Sequence, residues 1–417
     1  MPQGSPPLAK RKGVRDHFPR LPDASAGPNN GIEPTPYSVR SAPASGSSSC
    51  LAFGLASYTL PVGAERWLKE HTEQIGAWRE IVLHTRICAL LGIECPVIQA
   101  AMSPFTPPEL VAAVSNAGGL GSIGAGMLSP ENLKQQLART RELTQRPFAV
   151  NYGVPMLNEE SFALTLAAKP ALVSFSLSDP GDLVKRVHDA GILVMHQVTT
   201  VRQARQAAER GVDVIIAQGS EAGAFVGTVA GLALIPQVVD AVSPIPVIAA
   251  GGIADGRGLA AALVLGAQGI NIGTRFLAST EAPISAEWKQ AILAAESEEA
   301  IRVEVWSDFL GALSGDYGTV PRTLSSPFIE RWRHRRDDAK REAERLRGEV
   351  MAAIRQGRLG ELLPSAGQSV GLIRDIVPAA EIVRRTVIEA EKTLQGTTRL
   401  LREEGVVSFE GLAEKTN

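Results

Sequence analysis

The chain has 417 residues, 44% hydrophobic and 21% charged, with a formal net charge of −2. That length holds one large domain or two to three ordinary ones, and it buries a core without disulfide or metal staples. The balanced charge argues against nucleic-acid binding, which needs a basic face. Three cysteines (Cys50, Cys88, Cys95) point to a reducing compartment, and neither they nor the six histidines show metal-ligand spacing.

Residues 1–60 read as a disordered tail. Pro2 to Cys50 is dense in Pro, Ser, Gly and Ala and has no apolar period. Its six Lys/Arg are interrupted by Asp16, Asp23 and Glu33, which fits a plain tail or an over-extended start better than a transit peptide. Leu51–Val62 is apolar but too short to span a bilayer, and no later stretch gives eighteen uninterrupted apolar residues. A soluble, cytoplasmic protein with no membrane partner is expected.

From Val82 to Ser279, β-branched runs alternate with Ala-rich helical runs. Strands are expected at Val97–Ala100, Leu120–Ile123, Phe148–Asn151, Leu172–Ser176, Leu193–Gln197, Val214–Gln218, Pro246–Ala250 and Ile270–Ile272. Helices between them include Pro108–Ala117, Pro130–Thr144, Asp182–Ala190, Val201–Arg210 and Arg257–Leu265. Apolar strands of this kind belong to a parallel sheet buried on both faces. Eight such units in about 200 residues imply an α/β fold of the closed (β/α)8 TIM-barrel type. The rival is an open doubly wound sheet, which has fewer strands and a phosphate motif in its first βα turn. The turn after the first strand here has no glycines.

The barrel core is thus assigned to residues 82–280. Residues 281–365 read as a helical insertion in the last βα connection, where barrel insertions lie over the active-site mouth. The charged run Arg331–Arg347 within it reads first as a solvated helix face. Residues 366–395 supply a tight turn, Ala366–Gly371, and a closing helix from Ile376 to about Leu394. Residues 396–417 form a C-terminal tail.

Glycine makes up 40 residues, about one in ten against a usual ~7%. Its placement carries the chemistry. Gly251-Gly252 closes the strand Ile245–Ala250, and Gly273-Thr274 closes the next. Backbone N–H groups that approach a phosphate need positions without a β-carbon, and the loops after strands 7 and 8 are the usual barrel phosphate site. Two ordinary strand-ending turns are the alternative; glycines at both strands favour phosphate. Ala100, Ala101 and Met102 after the first strand, Asn151 after the third and Gln218 after the sixth would suit a planar ring across the barrel mouth. Each alone is equally a turn residue.

These residues, with Ala117-Gly-Gly-Leu-Gly121, Ala217-Gln-Gly-Ser-Glu-Ala-Gly223, Gly273-Thr-Arg-Phe276, Ala366-Gly-Gln368 and Gly371-Leu-Ile-Arg-Asp375, resemble the nitronate monooxygenase family. The resemblance covers residues 82–390. It implies a (β/α)8 barrel that binds FMN and oxidises alkyl nitronates with dioxygen, with a small-molecule substrate and a possible homodimer. It places Ala100, Ala101, Met102, Asn151, Gln218 and Gly223 at the flavin ring, Gly251, Gly252, Gly273 and Thr274 at the phosphate, and Gln368 near the flavin. The sequence departs from the family at Phe225, where many members carry a histidine taken as the catalytic base. Phenylalanine accepts no proton, which weakens nitroalkane turnover more than nitronate oxidation.

His196 ends the fifth strand and is the remaining candidate for catalysis or flavin contact; the alternative is a satisfied strand-end histidine. His17, His71, His84, His188 and His334 lie in tail or helix-surface contexts, and Cys88 and Cys95 read as small buried residues. Three other functions compete. A flavin enoyl-thioester reductase needs a nicotinamide donor, for which no clear motif is present. A flavin-binding protein with weak turnover is kept open by Phe225. A barrel like inosine-monophosphate dehydrogenase needs a loop cysteine after strand 6, and none exists beyond Cys95.

Overall fold

The β-branched runs of the sequence become strands, and the Ala-rich runs between them become helices that cover them. The computed structural model describes residues 83–311, 315–398 and 400. The tail 1–60, the stretch Leu51–Val62 and residues 401–417 lie outside the described residues. The chain forms β1 (Val97–Gln99), β2 (Gly121–Gly124), β3 (Phe148–Gly153), β4 (Leu172–Ser176), β5 (Leu193–Val198), β6 (Val214–Gln218), β7 (Ala224–Val226), β8 (Val247–Ala250) and β9 (Gly269–Ile272). Eight of these pair in parallel in the order β1-β9-β8-β6-β5-β4-β3-β2, and the bridge Ile98–Leu120 joins the two ends. The fold is a (β/α)8 barrel.

Alternation along the strands builds two apolar layers, because successive side chains point to opposite faces. Ile98, Ala149, Leu172, Met195, Ile216 and Ile248 converge as one buried cluster inside the barrel. Val150, Val173 and Val194 lie in register across β3, β4 and β5. They face outward with Leu110, Leu133 and Val187 of the surrounding helices.

Short polar side chains start these helices. Ser129, Asn158, Thr200 and Asp255 each accept a hydrogen bond from a backbone N–H of the first helical turn. Glu159–Ala168 and Gly231–Val242 complete the alternation. The second holds Pro236, which argues against a helix in sequence. Burial of Leu234, Ile235 and Val238 outweighs the lost backbone bond.

Residues 281–365 hold helices, of which the longest are Ala286–Ala294 and Ala343–Arg355, but also two short strands, β10 (Ile301–Arg302) and β11 (Val320–Thr323). β11 pairs antiparallel with β10 on one side and with β7 on the other, as a small separate sheet. β7 leaves the barrel ring, so its backbone groups need partners from elsewhere in the chain. The segment has its own core, in which Trp306 and Phe309, and Phe309 and Phe328, meet edge to face. The closing helix, Ala379–Thr398, packs on Gly256–Val264. Among the described residues no helix is long and apolar enough to cross a membrane, and no group of three or more His, Cys, Asp or Glu is placed to hold a metal.

Gly256 marks the tightest point of the closing-helix contact, since a β-carbon there would overlap the backbone nitrogen of Ala390. Gly256→Ala should therefore destabilise the fold by about 1–3 kcal/mol through overpacking. A lowered midpoint in denaturant unfolding checks this.

Candidate functional site

A cavity of about 250 Å³ opens at the C-terminal ends of the strands. Ten of the residues expected at the site line it: Ala100, Ala101, Met102, Asn151, Gln218, Gly223, Gly251, Gly252, Gly273 and Thr274. Gly251 and Gly252 have φ of +95° and +73°, a left-handed conformation that glycine adopts without strain. A β-carbon at Gly251 would stand 3.0 Å from Ala222 N and from Gly219 O. Gly273 lies beside Met102 and Ala100, where a β-carbon would make ordinary van der Waals contact at 3.4–3.7 Å. Thr274 Oγ1 accepts the Gly367 N–H at 2.9 Å, which leaves its hydroxyl proton for the cavity.

Asn151 donates from its amide to Ser174 Oγ (3.0 Å) and Ser174 O (3.3 Å). Its side-chain oxygen is then the group left for a ligand. Gln218 is 7% exposed, and its Oε1 is buried without a hydrogen-bond partner. An orphaned acceptor of this kind is costly unless a ligand or water meets it.

Three loops interlock around the cavity. The backbone of Gly223 lies on that of Ala366 and Gly367, so closely that a β-carbon on Gly223 would stand 2.7 Å from Gly367 N. The Gln368 N–H donates to Glu221 O at 2.8 Å. Gln368 is thus held by its backbone, and its neighbours Ala366 and Ser369, not Gln368 itself, line the cavity. The Glu221 carboxylate accepts the Gly231 N–H at 2.9 Å, at the start of a twelve-residue helix where negative charge is favourable. Arg322 of β11 donates from Nε (3.1 Å) and Nη2 (2.9 Å) to Ser220 O, and also to Ala300 O. Two of the family-like motifs pair directly: Arg275 Nη2 meets Asp375 Oδ1 at 2.7 Å.

The structure does not bring His196 to the cavity. Met195 and Gln197 of β5 face the cavity, and His196 between them is turned outward and fully buried. Its Nδ1–H donates to Phe175 O (3.1 Å), and its Nε2 accepts from the Tyr317 hydroxyl (2.7 Å). Burial pushes its pKa down to about 4, against the opposing pull of the Phe175 carbonyl, Asp179 and Asp316. The reading of His196 as a group in reach of substrate is corrected by strand alternation: the polar face at the barrel mouth belongs to Gln197.

Phe225 does line the cavity, 6.4 Å from Trp306 centroid to centroid. The lining also includes Ser122, Ser174, Gln197 and Asn271, which the sequence reading did not single out. Asn271 left a usable signal, as a lone amide inside the apolar strand Gly269–Ile272. Trp288, Trp306, Ile354, Leu359 and Leu363 come from the 281–365 segment, and no motif marks them. Among the described residues, no Asp, Glu, Lys, Arg, His, Cys or Tyr lines the cavity.

Known proteins share this fold and much of its sequence. The sequence profile of nitronate monooxygenases matches residues 84–163 and 158–389. A probable nitronate monooxygenase of Staphylococcus saprophyticus is 36% identical over 271 residues, which is 54% of this chain and 76% of that protein. The structure of FabK from Thermotoga maritima superposes with a TM-score of 0.70 at 32% identity, covering 77% of this chain and 100% of that one. A nitroalkane oxidase from Streptomyces ansochromogenes superposes with a TM-score of 0.64 at 28% identity, covering 75% and 99%. The chain belongs to the nitronate monooxygenase family, a group of oxidoreductases that is generally flavin-dependent.

Proposed function

We propose that the protein binds FMN across the barrel mouth and oxidises alkyl nitronates with dioxygen to a carbonyl compound and nitrite. The residues fit the cofactor. Gly251, Gly252, Gly273 and Thr274 would hold the phosphate, with the left-handed turn at Gly251 and Gly252 leaving space that a β-carbon would fill. Ala100, Ala101, Met102, Asn151, Gln218 and Gly223 would hold the ring, and the unpartnered Gln218 Oε1 would gain a donor from it. Gln368 would act from behind, by fixing Glu221. When bound, FMN supplies one-electron oxidation of the substrate and the reaction with dioxygen.

One observation carries the choice of substrate: among the described residues, none that lines the cavity can take up or release a proton near neutral pH. A neutral nitroalkane must lose a carbon-bound proton to a positioned base. A nitronate has already lost it. The protein's own residues then have only to place the nitronate and exclude water. Serine and amide groups at the floor (Ser122, Ser174, Asn271) can orient an oxygen by hydrogen bonds, and the apolar wall keeps water out. His196 is assigned a structural role, holding Tyr317 against the end of β4.

The apolar wall favours one second reading. It would equally receive the acyl chain of an enoyl thioester, so a flavin-dependent enoyl-thioester reductase is the alternative. Oxygen uptake with ethylnitronate and no NADH supports the oxygenase. NADH oxidation that requires an enoyl thioester, without nitronate turnover, overturns it in favour of the reductase.

Three outcomes are expected. The purified protein should be yellow and release FMN on denaturation, and Gly251→Val should lower its FMN affinity at least tenfold, measured by titration of the apoprotein. Nitroethane should turn over at least 100-fold more slowly than its nitronate, and Phe225→His should narrow that gap, with a rate that rises through a pH near ~6.5. For His196, the unfolded chain takes up a proton at about pH 6.5 and the folded chain only near 4, so stability falls as pH drops across that window. His196→Asn should flatten this dependence in thermal melts between pH 4 and 7 while kcat/KM at pH 8 stays within about threefold.

A further inference from the structure

The cavity divides by chemistry. Its floor is polar and uncharged, formed by Ser122, Asn151, Ser174, Gln218 and Asn271. Its opposite wall is apolar, formed by Phe225, Trp288, Trp306, Ile354, Leu359 and Leu363. This wall is rigid as well as apolar. Trp288 and Trp306 are each 5% exposed, Phe105 meets Trp288 edge to face at 5.0 Å, and Phe225 braces Trp306.

The cations of the small sheet are committed elsewhere. Arg322 is spent on the carbonyls of Ser220 and Ala300. Arg302 reaches the Gly227 carbonyl and the Glu304 carboxylate. Neither lines the cavity.

We propose that this wall is a tail subsite, which takes an extended, uncharged hydrocarbon tail and rejects a tail that ends in a carboxylate. The inference rests on the nitronate reading and goes beyond it, by naming the substrate class. Its physical basis is asymmetric. Each methylene removed from water adds about 0.8 kcal/mol, a factor of about four in affinity. A carboxylate placed against the same wall loses its hydration and finds no cation among the described lining residues to balance its charge. The polar floor distinguishes one anionic head from the tail, because the groups of Ser122, Ser174 and Asn271 not assigned to the flavin ring can meet the nitronate oxygens while the wall offers mostly carbon.

Two measurements on the flavin-loaded protein test this. In the first, oxygen uptake is followed with the primary nitronates of ethane through octane, and with an ω-carboxylate nitronate of matched length. kcat/KM should rise about three- to fourfold per methylene until the wall is filled, and the carboxylate-bearing substrate should fall at least 100-fold below its alkyl counterpart. A flat series, or equal turnover of the two, overturns the proposal. In the second, binding of 1-octanol and of octanoate is measured by calorimetry, with no turnover required. The alcohol should bind at least tenfold more tightly, and equal or tighter binding of octanoate overturns the proposal.

The binding arm separates the two readings. If no nitronate consumes oxygen but octanol is still preferred, the nitronate reading fails and the tail subsite stands. Ile354 sits half-buried on the helix Ala343–Arg355, so Ile354→Lys adds a cation to the wall at small risk to folding. It should raise octanoate affinity at least tenfold; an unchanged preference in a variant with native melting overturns the assignment of this wall.

Discussion

The backbones of Gly223 and Gly367 lie against each other with no side chain between them, and the placement of the whole cavity follows from that contact. One glycine belongs to the loop after β6, the other to the turn that returns the chain from the 281–365 segment to the barrel. A β-carbon on either would stand 2.7 Å from the other's amide nitrogen. Because the two turns can approach so closely, Gln368 reaches Glu221 and Gly367 reaches Thr274 through main-chain donors. Main-chain bonds at this distance fix position without the rotamer freedom of long side chains. The aromatic and aliphatic wall carried by the segment is thereby set over the floor supplied by the strands.

That geometry yields a site whose own groups carry no charge. In an uncharged, water-poor cavity, an electrostatic interaction is stronger than it would be in solvent. Any charge present must come with a ligand. The protein's contribution is then orientation and exclusion, through amides, hydroxyls and close-packed carbon. Phe225 expresses this most clearly. Its ring packs with Trp306 as part of the wall. A side chain of this kind adds apolar surface and accepts no proton.

Much of the barrel was legible because its two signals are local. Buried parallel strands read as unbroken β-branched runs, and the left-handed turn after β8 reads as the glycine pair Gly251-Gly252. That pair and Gly273-Thr274 after β9 needed nothing from the rest of the chain to be noticed. His196 was misread for a related reason: a strand-end position is visible in sequence, but the face on which the side chain falls depends on register. A shift of one residue exchanges inside for outside, and Gln197, not His196, points inward. β7, β10 and β11 were missed because three short strands, separated by about 75 and 20 residues, pair only after the segment has folded. Trp288, Ile354 and Leu363 were invisible as site residues because hydrophobic residues on helices look alike whether they fill a core or line a cavity.

One joint of the barrel differs from the others. Seven neighbouring strand pairs are joined by ladders, whereas β1 and β2 share the single bridge Ile98–Leu120. The main chain crosses that seam through Leu120 N–H to Val97 O (3.0 Å) and Gln99 N–H to Leu120 O (2.9 Å). One fully buried side chain adds to it: Gln99 accepts from Ser122 N at 2.9 Å and donates to Ser122 O at 3.3 Å. At this seam the closed barrel keeps the character of an open sheet, with a glutamine side chain as its clasp.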